Sequence, residues 1–439
     1  MRRYDTYKDS GVEWLGEIPS HWRKSKFKFV SDLYTGNSLN DSQKLQYESE
    51  NLDDIPYVSS KDIDVEFQTV NYNNGLRIPR ENNPLKISPK GSFLMVIEGG
   101  SSGRKKVYLE QDVCFVNKLC SFNSRENNKF QYYFIQSSNY QDKFKLSMSG
   151  LIGGVSISNL KDFELTLPPL PEQQQIVSFL DTKTSLIDSL IEKTQRKIEL
   201  LKEKRTSLIN EVVTKGLNPN VEMKDSGVEW IGEIPSGWEF VRIGHLNRVV
   251  RGGSPRPSGD PRFFNGDFIH WITVKDITSK TGKYVTTTDT KLTEEGMKQS
   301  RVLEPETLVL TNSGVTLGIP GILKIRGCIN DGSVSFLDMS PKIERDYLYY
   351  FWTTQTELLL EQQSGYGQPN LNIEIVSNVR LPLPPLSEQQ QIVEYLDEQT
   401  QLMDKTISIE EKRIELLKEY RQSLISEVVT GKLKVTTDE

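Results

Sequence analysis

The chain repeats two of its own segments at one fixed offset, and this duplication restricts the possible folds more than any other feature. The segment "DSGVEWLGEIPSHW" (Asp9–Trp22) returns as "DSGVEWIGEIPSGW" (Asp225–Trp238), 216 positions later. The segment "LPPLPEQQQIV" (Leu167–Val177) returns as "LPPLSEQQQIV" (Leu383–Val393) at the same offset. The residues between these segments differ greatly between the copies. The sequence therefore predicts two units that share a framework and differ in what it encloses.

Length and composition are typical of a globular protein with more than one domain. The chain has 439 residues, of which 36% are hydrophobic and 26% charged, and single cores stop growing well below this length. No apolar run approaches the ~18 residues of a membrane span, and the N-terminus lacks the apolar core of a signal peptide. Three cysteines make no disulfide framework. We expect a cytoplasmic protein with no membrane partner.

The segment after each "LPPL" has the spacing of one long helix. Steps of four and three residues alternate along a seam, as in a coiled coil. The first seam is Ile187, Ile191, Thr194, Ile198, Leu201, Arg205, Leu208 and Val212. The second seam is Met403, Ile407, Glu410, Ile414, Leu417, Arg421, Leu424 and Val428. The simplest partner for each helix is its own copy, which predicts an antiparallel coiled coil with pseudo-twofold symmetry.

The enclosed regions have the pattern of mixed α/β domains. Apolar runs such as "FLMVI", "TLVLT" and "FIHWITV" predict strands, while "KFQYYFIQSSNYQDKF" and "RDYLYYFWTTQTELLLEQQ" predict helices. A faint correspondence joins "IPYVSSKDI" (Ile55–Ile63) to "IHWITVKDI" (Ile269–Ile277), and Cys114 to Cys328. We therefore predict an α+β chain in which two mixed α/β domains of one fold are each followed by a long helix.

Two loops are glycine-rich and basic, although the net charge of the chain is −6. The loops are "EGGSSGRKKV" (Glu98–Val107) and "RGGSPRPSGDPRF" (Arg251–Phe263). Glycine and cations together suit close approach of backbone amides and guanidinium groups to phosphate or to a DNA groove. The alternative is that each loop is a solvated run of charge.

The sequence lacks the common signatures of catalysis. There is no G-x-x-x-x-G-K-[ST] phosphate loop, no glycine fingerprint for a nucleotide cofactor and no Asn/Asp-Pro-Pro-aromatic tetrapeptide of an amino methyltransferase. His21, His245 and His270 have no metal-ligand spacing. Three classes stay open on this basis: a sequence reader for a larger enzyme, a hydrolase with an unrecognised site, and a coiled-coil scaffold.

Three motifs in the chain resemble those of a known family. They are "KDSGVEWxGEIPxxW", "GGSPRPSGDPRFFNGDFIHWITVKDI" and "LPPLxEQQQIVxxLD", and they resemble the specificity (S) subunit of type I restriction-modification enzymes over the whole chain. The resemblance implies two DNA target-recognition domains, each reading one half of a split, asymmetric site in double-stranded DNA. It also implies a non-catalytic chain that holds neither metal nor cofactor.

The same resemblance implies the partners and their cofactors. Two methyltransferase (M) subunits would methylate adenine at N6 with S-adenosylmethionine, and two restriction (R) subunits would use ATP and Mg. A DNA-binding adaptor of a methyltransferase without R subunits is the alternative. The implied segments are a framing segment (1–22), recognition domain 1 (23–166), a central helical region (167–216), a linker with the repeated frame (217–238), recognition domain 2 (239–382) and a C-terminal helical region (383–439).

The residues that contact DNA are predicted from chemistry, because the loops that would carry them are the variable parts of the family. Arginine can bind guanine through two hydrogen bonds, while lysine more often contacts phosphate. The candidates are Ser101, Ser102, Arg104, Lys105, Lys106, Arg251, Arg256, Arg262 and Lys275. Gln368 and Asn370 could read adenine or form a structural turn.

A surface that binds M subunits must be common to both halves, which points to the repeated "EQQQIV" at the start of each long helix. The candidates are Glu172, Gln173, Gln174, Glu388, Gln389 and Gln390. The alternative is that these residues only cap the coiled coil. The repeated tryptophans Trp14, Trp22, Trp230 and Trp238 are expected to anchor the frame rather than to contact DNA.

Overall fold

The computed structural model describes residues 2–49, 51–65, 68–149, 153–229, 231–280, 282–312, 314–361 and 371–435. The chain divides into two compact units, Met1–Lys193 with Arg413–Glu439, and Thr194–Lys412. Each unit therefore contains one mixed α/β domain and a part of each long helix. The six segment boundaries drawn from the sequence stay predictions.

The first unit begins with a short hairpin and continues into the first domain. Its strands are β1 (Tyr7–Asp9), β2 (Glu17–Pro19), β3 (Arg23–Lys26), β4 (Ser31–Thr35), β5 (Ile55–Val58), β6 (Arg77–Ile78), β7 (Ile87–Ser88), β8 (Phe93–Val96), β9 (Lys106–Tyr108), β10 (Val113–Phe115), β11 (Leu119–Ser124) and β12 (Glu164–Leu167). Its helices are α1 (Phe27–Val30), α2 (Asp41–Gln46), α3 (Asn128–Phe134), α4 (Ser138–Leu146), α5 (Ile157–Asp162) and the start of α6 (Leu170–Lys215).

The second unit repeats this plan with different lengths. Its strands are β13 (Met223–Asp225), β14 (Glu233–Pro235), β15 (Glu239–Arg242), β16 (Arg248–Arg251), β17 (Phe264–Ile272), β18 (Tyr284–Val285), β19 (Lys291–Leu292), β20 (Arg301–Leu303), β21 (Leu308–Thr311), β22 (Pro320–Leu323), β23 (Gly327–Ile329), β24 (Ser333–Leu337) and β25 (Arg380–Leu383). Its helices are α7 (Val274–Thr278), α8 (Glu294–Lys298), α9 (Arg345–Glu361), α10 (Ile373–Asn378) and the start of α11 (Leu386–Val429).

Most of the predicted elements are present, with one difference in the first domain. The three apolar runs form β8, β21 and β17, and the second predicted helix is α9. The first predicted helix is instead two helices, α3 and α4. The break falls at Ser137, whose hydroxyl donates to the carbonyl of Phe134 and accepts from the amide of Tyr140, so that it caps the new helix.

Each domain contains a four-stranded sheet of the same topology, in which one pair of strands is parallel. In the first unit β5 and β10 are the parallel pair of a sheet with the order β6-β5-β10-β7, and in the second β17 and β23 occupy the same place in the order β19-β17-β23-β20. Cys114 lies opposite Tyr57 in one sheet, and Cys328 lies opposite Trp271 in the other. The correspondence predicted from the sequence is therefore confirmed as a shared register.

The largest core of each unit joins the domain to the long helices. In the first unit it contains Phe27 and Ile176, and in the second it contains Ile243 and Ile392. Each domain is therefore packed firmly on the helix that follows it, because the apolar residues of the two form one core.

The seams of α6 and α11 are the faces that pack, and within the second unit the two helices run antiparallel. Lys197 contacts Glu410 at 2.5 Å while Arg205 contacts Asp404 at 3.1 Å, so positions rise along one helix as they fall along the other. In the first unit Arg421 binds Asp188 at 2.9 Å. These arginines are 216 positions apart, and so are their partners. Each seam arginine thus forms the same ion pair in its own unit.

Candidate nucleic-acid interface

The first basic loop (Glu98–Val107) joins β8 to β9 through a tight turn. The amide of Gly103 donates to the carbonyl of Val96 at 2.8 Å, and a Cβ at this glycine would lie 2.7 Å from the ring of Phe144. The turn leaves Arg104 exposed, and one end of its guanidinium donates to the carbonyl of Gly100 at 2.6 Å. The remaining N–H groups of Arg104 can bind an anion or a base edge.

The three consecutive cations of this loop occupy different environments. Lys105 is partly buried and donates to the carbonyl of Ser60 at 2.7 Å. Lys106 is only 6% exposed, and burial, followed by the positive charge of Arg421, lowers its pKa to about 8. The prediction of Lys106 as a surface contact therefore does not fit its position, because β9 turns this side chain inward while Arg104 stays in solvent.

A cleft of about 600 Å³ lies beside the first basic loop. Its lining includes Lys61, Asp62, Asn71 and Lys105. Ammonium groups, a carboxylate and an amide in one cleft provide both donors and acceptors of hydrogen bonds, as the edges of base pairs require. Ser101 and Ser102 lie in the loop itself and are partly buried.

The second basic loop (Arg251–Phe263) takes part in a cluster of three arginines around Asp331. Arg251 donates from Nε to the backbone carbonyl of Asp331 at 2.8 Å, and Arg256 donates from Nη2 to its carboxylate at 3.1 Å. Arg301, on β20, donates from Nε to the carbonyl of Arg251 at 3.0 Å. The hydroxyl of Ser254 donates to the other carboxylate oxygen at 2.6 Å. Of the three guanidinium groups, only that of Arg256 binds the carboxylate, while the other two bind backbone carbonyls. Three arginines thus lie near one carboxylate, and positive charge remains in excess.

The carboxylate at the centre of this cluster stays ionised. The hydrogen bond from Ser254 is the largest cause that lowers the pKa of Asp331, and the charges of Arg256 and Arg251 lower it further against the opposing effect of burial. An ionised carboxylate fixes the position of the guanidinium group beside it. The cluster is therefore an ordered group of arginines.

The other two candidates of the second domain each have their own carboxylate. Arg262 pairs with Asp260 at 2.7 Å, and Lys275 pairs with Asp289 at 2.6 Å. Both cations are exposed, and ion pairs in solvent contribute little to stability because water and salt screen them. A phosphate group could therefore displace either carboxylate at little cost. The structure brings Arg251 and Arg256 together and places Arg262 and Lys275 in separate ion pairs.

The glutamate that starts each long helix is hydrogen-bonded to the repeated frame. Glu172 accepts from the hydroxyl of Tyr4 at 2.6 Å and from Nε1 of Trp22 at 3.2 Å. Glu388 accepts from Nε1 of Trp238 at 3.0 Å. Both tryptophans are buried, so these indoles anchor the frame.

The glutamines that follow differ in their exposure. Gln173 and Gln389 are buried, and each donates from Nε2 to a proline carbonyl five positions earlier, at 2.9 and 2.8 Å. Gln174 and Gln390 are exposed. Of the residues predicted to bind a partner, these two are therefore the ones whose side chains are available in both units. Glu172, Gln173, Glu388 and Gln389 hold the frame on the helix.

Replacing the frame-binding glutamate should destabilise the first unit. We expect Glu172→Ala to lower the free energy of unfolding by about 1–3 kcal/mol, because the donors of Trp22 and Tyr4 lose their acceptor. Gln174→Ala is the matched control, with an expected change within about 0.5 kcal/mol. Urea unfolding followed by tryptophan fluorescence measures both. Equal unfolding midpoints for the two variants would contradict the structural role of Glu172.

Sequence patterns alone did not identify three residues of these surfaces. Lys61, Arg301 and Asp331 lie outside the two basic loops and reach them through sheet and loop packing. The alignment of "SSKDI" with "TVKDI" offered a signal for Lys61, because it pairs this residue with the candidate Lys275. Gln368 and Asn370 lie outside the described residues, as does Trp230.

The described part of the chain shows neither a metal centre nor a membrane span. Over these residues, no group of three His, Cys, Asp or Glu side chains is placed to hold a metal ion. None of their helices is both long and apolar enough to cross a bilayer.

Comparison with protein families finds matches over most of the chain. A model of the family described as "Type I restriction modification DNA specificity domain" matches residues 19–200 and again residues 235–419. The chain is 23% identical over 358 residues to the MjaVIII type I restriction enzyme specificity subunit of Methanocaldococcus jannaschii. This match covers 79% of this chain and 80% of that relative. It is 22% identical over 448 residues to the EcoBI specificity subunit of Escherichia coli, which covers 97% of this chain and 89% of the relative.

Two solved structures have a similar fold. A chain from work on complex assembly and conformational transition of the type I R-M system gives a TM-score of 0.74 at 18% identity, over 95% of this chain and 99% of that one. The HsdS subunit from Thermoanaerobacter tengcongensis gives a TM-score of 0.54 at 17% identity, over 95% of this chain and 98% of the other. At these identities the comparison establishes the fold.

Proposed function

The chain belongs to the family of type I restriction-modification DNA specificity proteins, and from this we propose that it reads a split DNA site, one half with each domain. The proposal rests on the observation that two units with the same plan have different basic surfaces. One has the cleft beside Arg104, and the other has the arginine cluster around Asp331. A shared scaffold with different readers recognises an asymmetric site. Phosphate contacts would position the DNA and base contacts would select it.

We further propose that the outer faces of the long helices bind the M subunits. Leu186 and Leu416 of the first unit are 57% and 54% exposed, and Leu402 and Leu200 of the second are 60% and 49% exposed. Leu186 corresponds to Leu402 at the 216-residue offset, as Leu200 does to Leu416. The same apolar pair is therefore available once in each unit. Exposed leucines on a charged helix favour burial against a partner helix, and two equal surfaces suit two identical subunits.

In this proposal the chain itself supplies recognition and positioning. S-adenosylmethionine would be bound by the M subunits, which transfer the methyl group to N6 of adenine. ATP and Mg would be bound by the R subunits, where these are present. The residues of this chain would hold DNA and orient the M subunits on it.

Expression of the chain together with its M subunit, followed by sequencing of the methylated genome, tests the proposal. We expect N6-methyladenine in one motif made of two specific halves separated by unspecified bases. The purified chain alone should transfer no methyl group above a contaminant control. A continuous, undivided motif, or methyl transfer by the chain alone, would contradict the proposed function.

A further inference from the structure

We propose that Arg251 and Arg256 read guanine in the half-site of the second domain, and that Asp331 is the residue that positions them. The inference rests on the proposed function and adds to it the class of base that this domain selects. It arises from how the two guanidinium groups are held.

Each arginine is fixed through one nitrogen, which leaves donors available on the same plane. Arg251 uses Nε and Arg256 uses Nη2 in their bonds to Asp331. A guanidinium group has five N–H donors, so each side chain keeps the two-donor fork that matches O6 and N7 of guanine. Both side chains are exposed, so a base edge can reach them.

The carboxylate distinguishes this arrangement from a phosphate clamp. Asp331 remains ionised, and its oxygens bind Ser254 and Arg256. A phosphate bound by Arg256 would bring a full negative charge close to that carboxylate, and the repulsion would weaken the contact. The acceptors of guanine are uncharged, so this cost is smaller. A guanidinium that is already oriented also loses less conformational entropy when it binds.

A third arginine, Arg301, supports the same assignment because it holds the backbone of Arg251 in place. Arg301 donates to the backbone carbonyl of Arg251, at the end of β16. This bond fixes the backbone from which the Arg251 side chain extends. Its positive charge also keeps the surface attractive to DNA although Asp331 is present.

The test uses the full chain with its M subunits and reads the methylated motif. Arg256→Ala should relax one guanine position of the second half-site, lowering discrimination there by about tenfold to a hundredfold. Arg256→Lys should relax the same position, because lysine keeps the charge and loses the fork. Asp331→Asn should also relax it, while binding to unrelated DNA stays equal or becomes stronger because a negative charge is removed. These changes should leave the first half-site unaltered.

Arg248→Ala is the matched control. Arg248 lies at the other end of β16 and pairs with Asp338, so we expect its replacement to leave the motif unchanged. The inference would be overturned if Arg256→Ala and Arg256→Lys lowered methylation uniformly and kept every base of the motif, since that is the behaviour of a phosphate contact. A second half-site without guanine would overturn it as well. Failure of the unaltered chain to direct a split motif would instead count against the proposed function.

Discussion

A fragment that ends at Val221 should direct methylation of a palindrome built from the first half-site. The fragment contains the first domain and all of α6, and it lacks the part of α11 that completes the core of the first unit. Two fragments can supply this part to each other, and closed dimers of identical chains have twofold symmetry. With M subunits bound, the dimer would read the first half-site twice, in opposite directions.

The residues of the seam make this exchange possible. In the first unit, α11 contributes the buried residues Leu424, Ile425, Val428 and Val429. At the 216-residue offset α6 carries the identical residues Leu208, Ile209, Val212 and Val213. Arg205 likewise takes the place of Arg421 opposite Asp188, so the ion pair of the seam forms again in the dimer.

Two contacts would be lost in the exchange, so the dimer should be less stable than the unit it imitates. The hydroxyl of Ser426 accepts from the amide of Ser138, and Gln422 donates to the carbonyl of Gln136. Asn210 and Thr206 occupy the equivalent positions in α6. We expect dimers that dissociate on dilution, measured by analytical ultracentrifugation of the fragment.

Charge reversal provides the control for the fragment. Arg205→Asp places two carboxylates opposite each other in the dimer and should abolish both dimers and methylation. Adding Asp188→Arg restores opposite charges and should recover both. An asymmetric motif, or a monomer at high concentration with its helix intact, would show that the two helices are not interchangeable partners.

The long helices and the frame could be predicted because their signals are periodic or repeated. The seam spacing determines which face of α6 packs, and Ile198 and Val212 are buried on it as predicted. Partners for the seam arginines could also have been found in the sequence, since Asp188 and Asp404 repeat at the same offset. Only the antiparallel register was needed to bring each arginine to its carboxylate.

The recognition surfaces could be predicted only in outline. The two basic loops could be found from their composition, but the environment of each cation could not. Arg104 is exposed, whereas Lys106, two positions later, is buried. That difference depends on the orientation of β9 against the rest of the unit. Asp331 lies 80 positions from Arg251, and Arg301 lies 50 positions from it. Such contacts arise from strand pairing, which composition and spacing do not specify.

Replacing residues 23–166 with residues 239–382 of the same chain should yield a protein that methylates a palindrome of the second half-site. The joints are well placed, because the first domain is entered by β3 and left by β12, which pair with each other from Arg23 opposite Leu167 to Lys26 opposite Glu164. In the second domain β15 and β25 pair in the same way, from Glu239 opposite Leu383. The replacement therefore exchanges one two-stranded ribbon for an equivalent ribbon at the same place in the chain.

The transplanted domain should find its helix contacts in the first unit. In the second unit Tyr350 donates to Asp397 at 2.5 Å and lies 3.3 Å from the hydroxyl of Thr400. In the first unit Tyr133 makes the same pair of contacts with Asp181 and Thr184, which stand 216 positions before those partners. A double replacement of Asp181 and Thr184 by alanine in the transplanted chain is the matched control, and it should weaken methylation without altering the motif. Sequencing of methylated DNA gives the outcome: recovery of the parent asymmetric motif, or of a motif with neither original half, would contradict a model in which each domain reads its half-site independently.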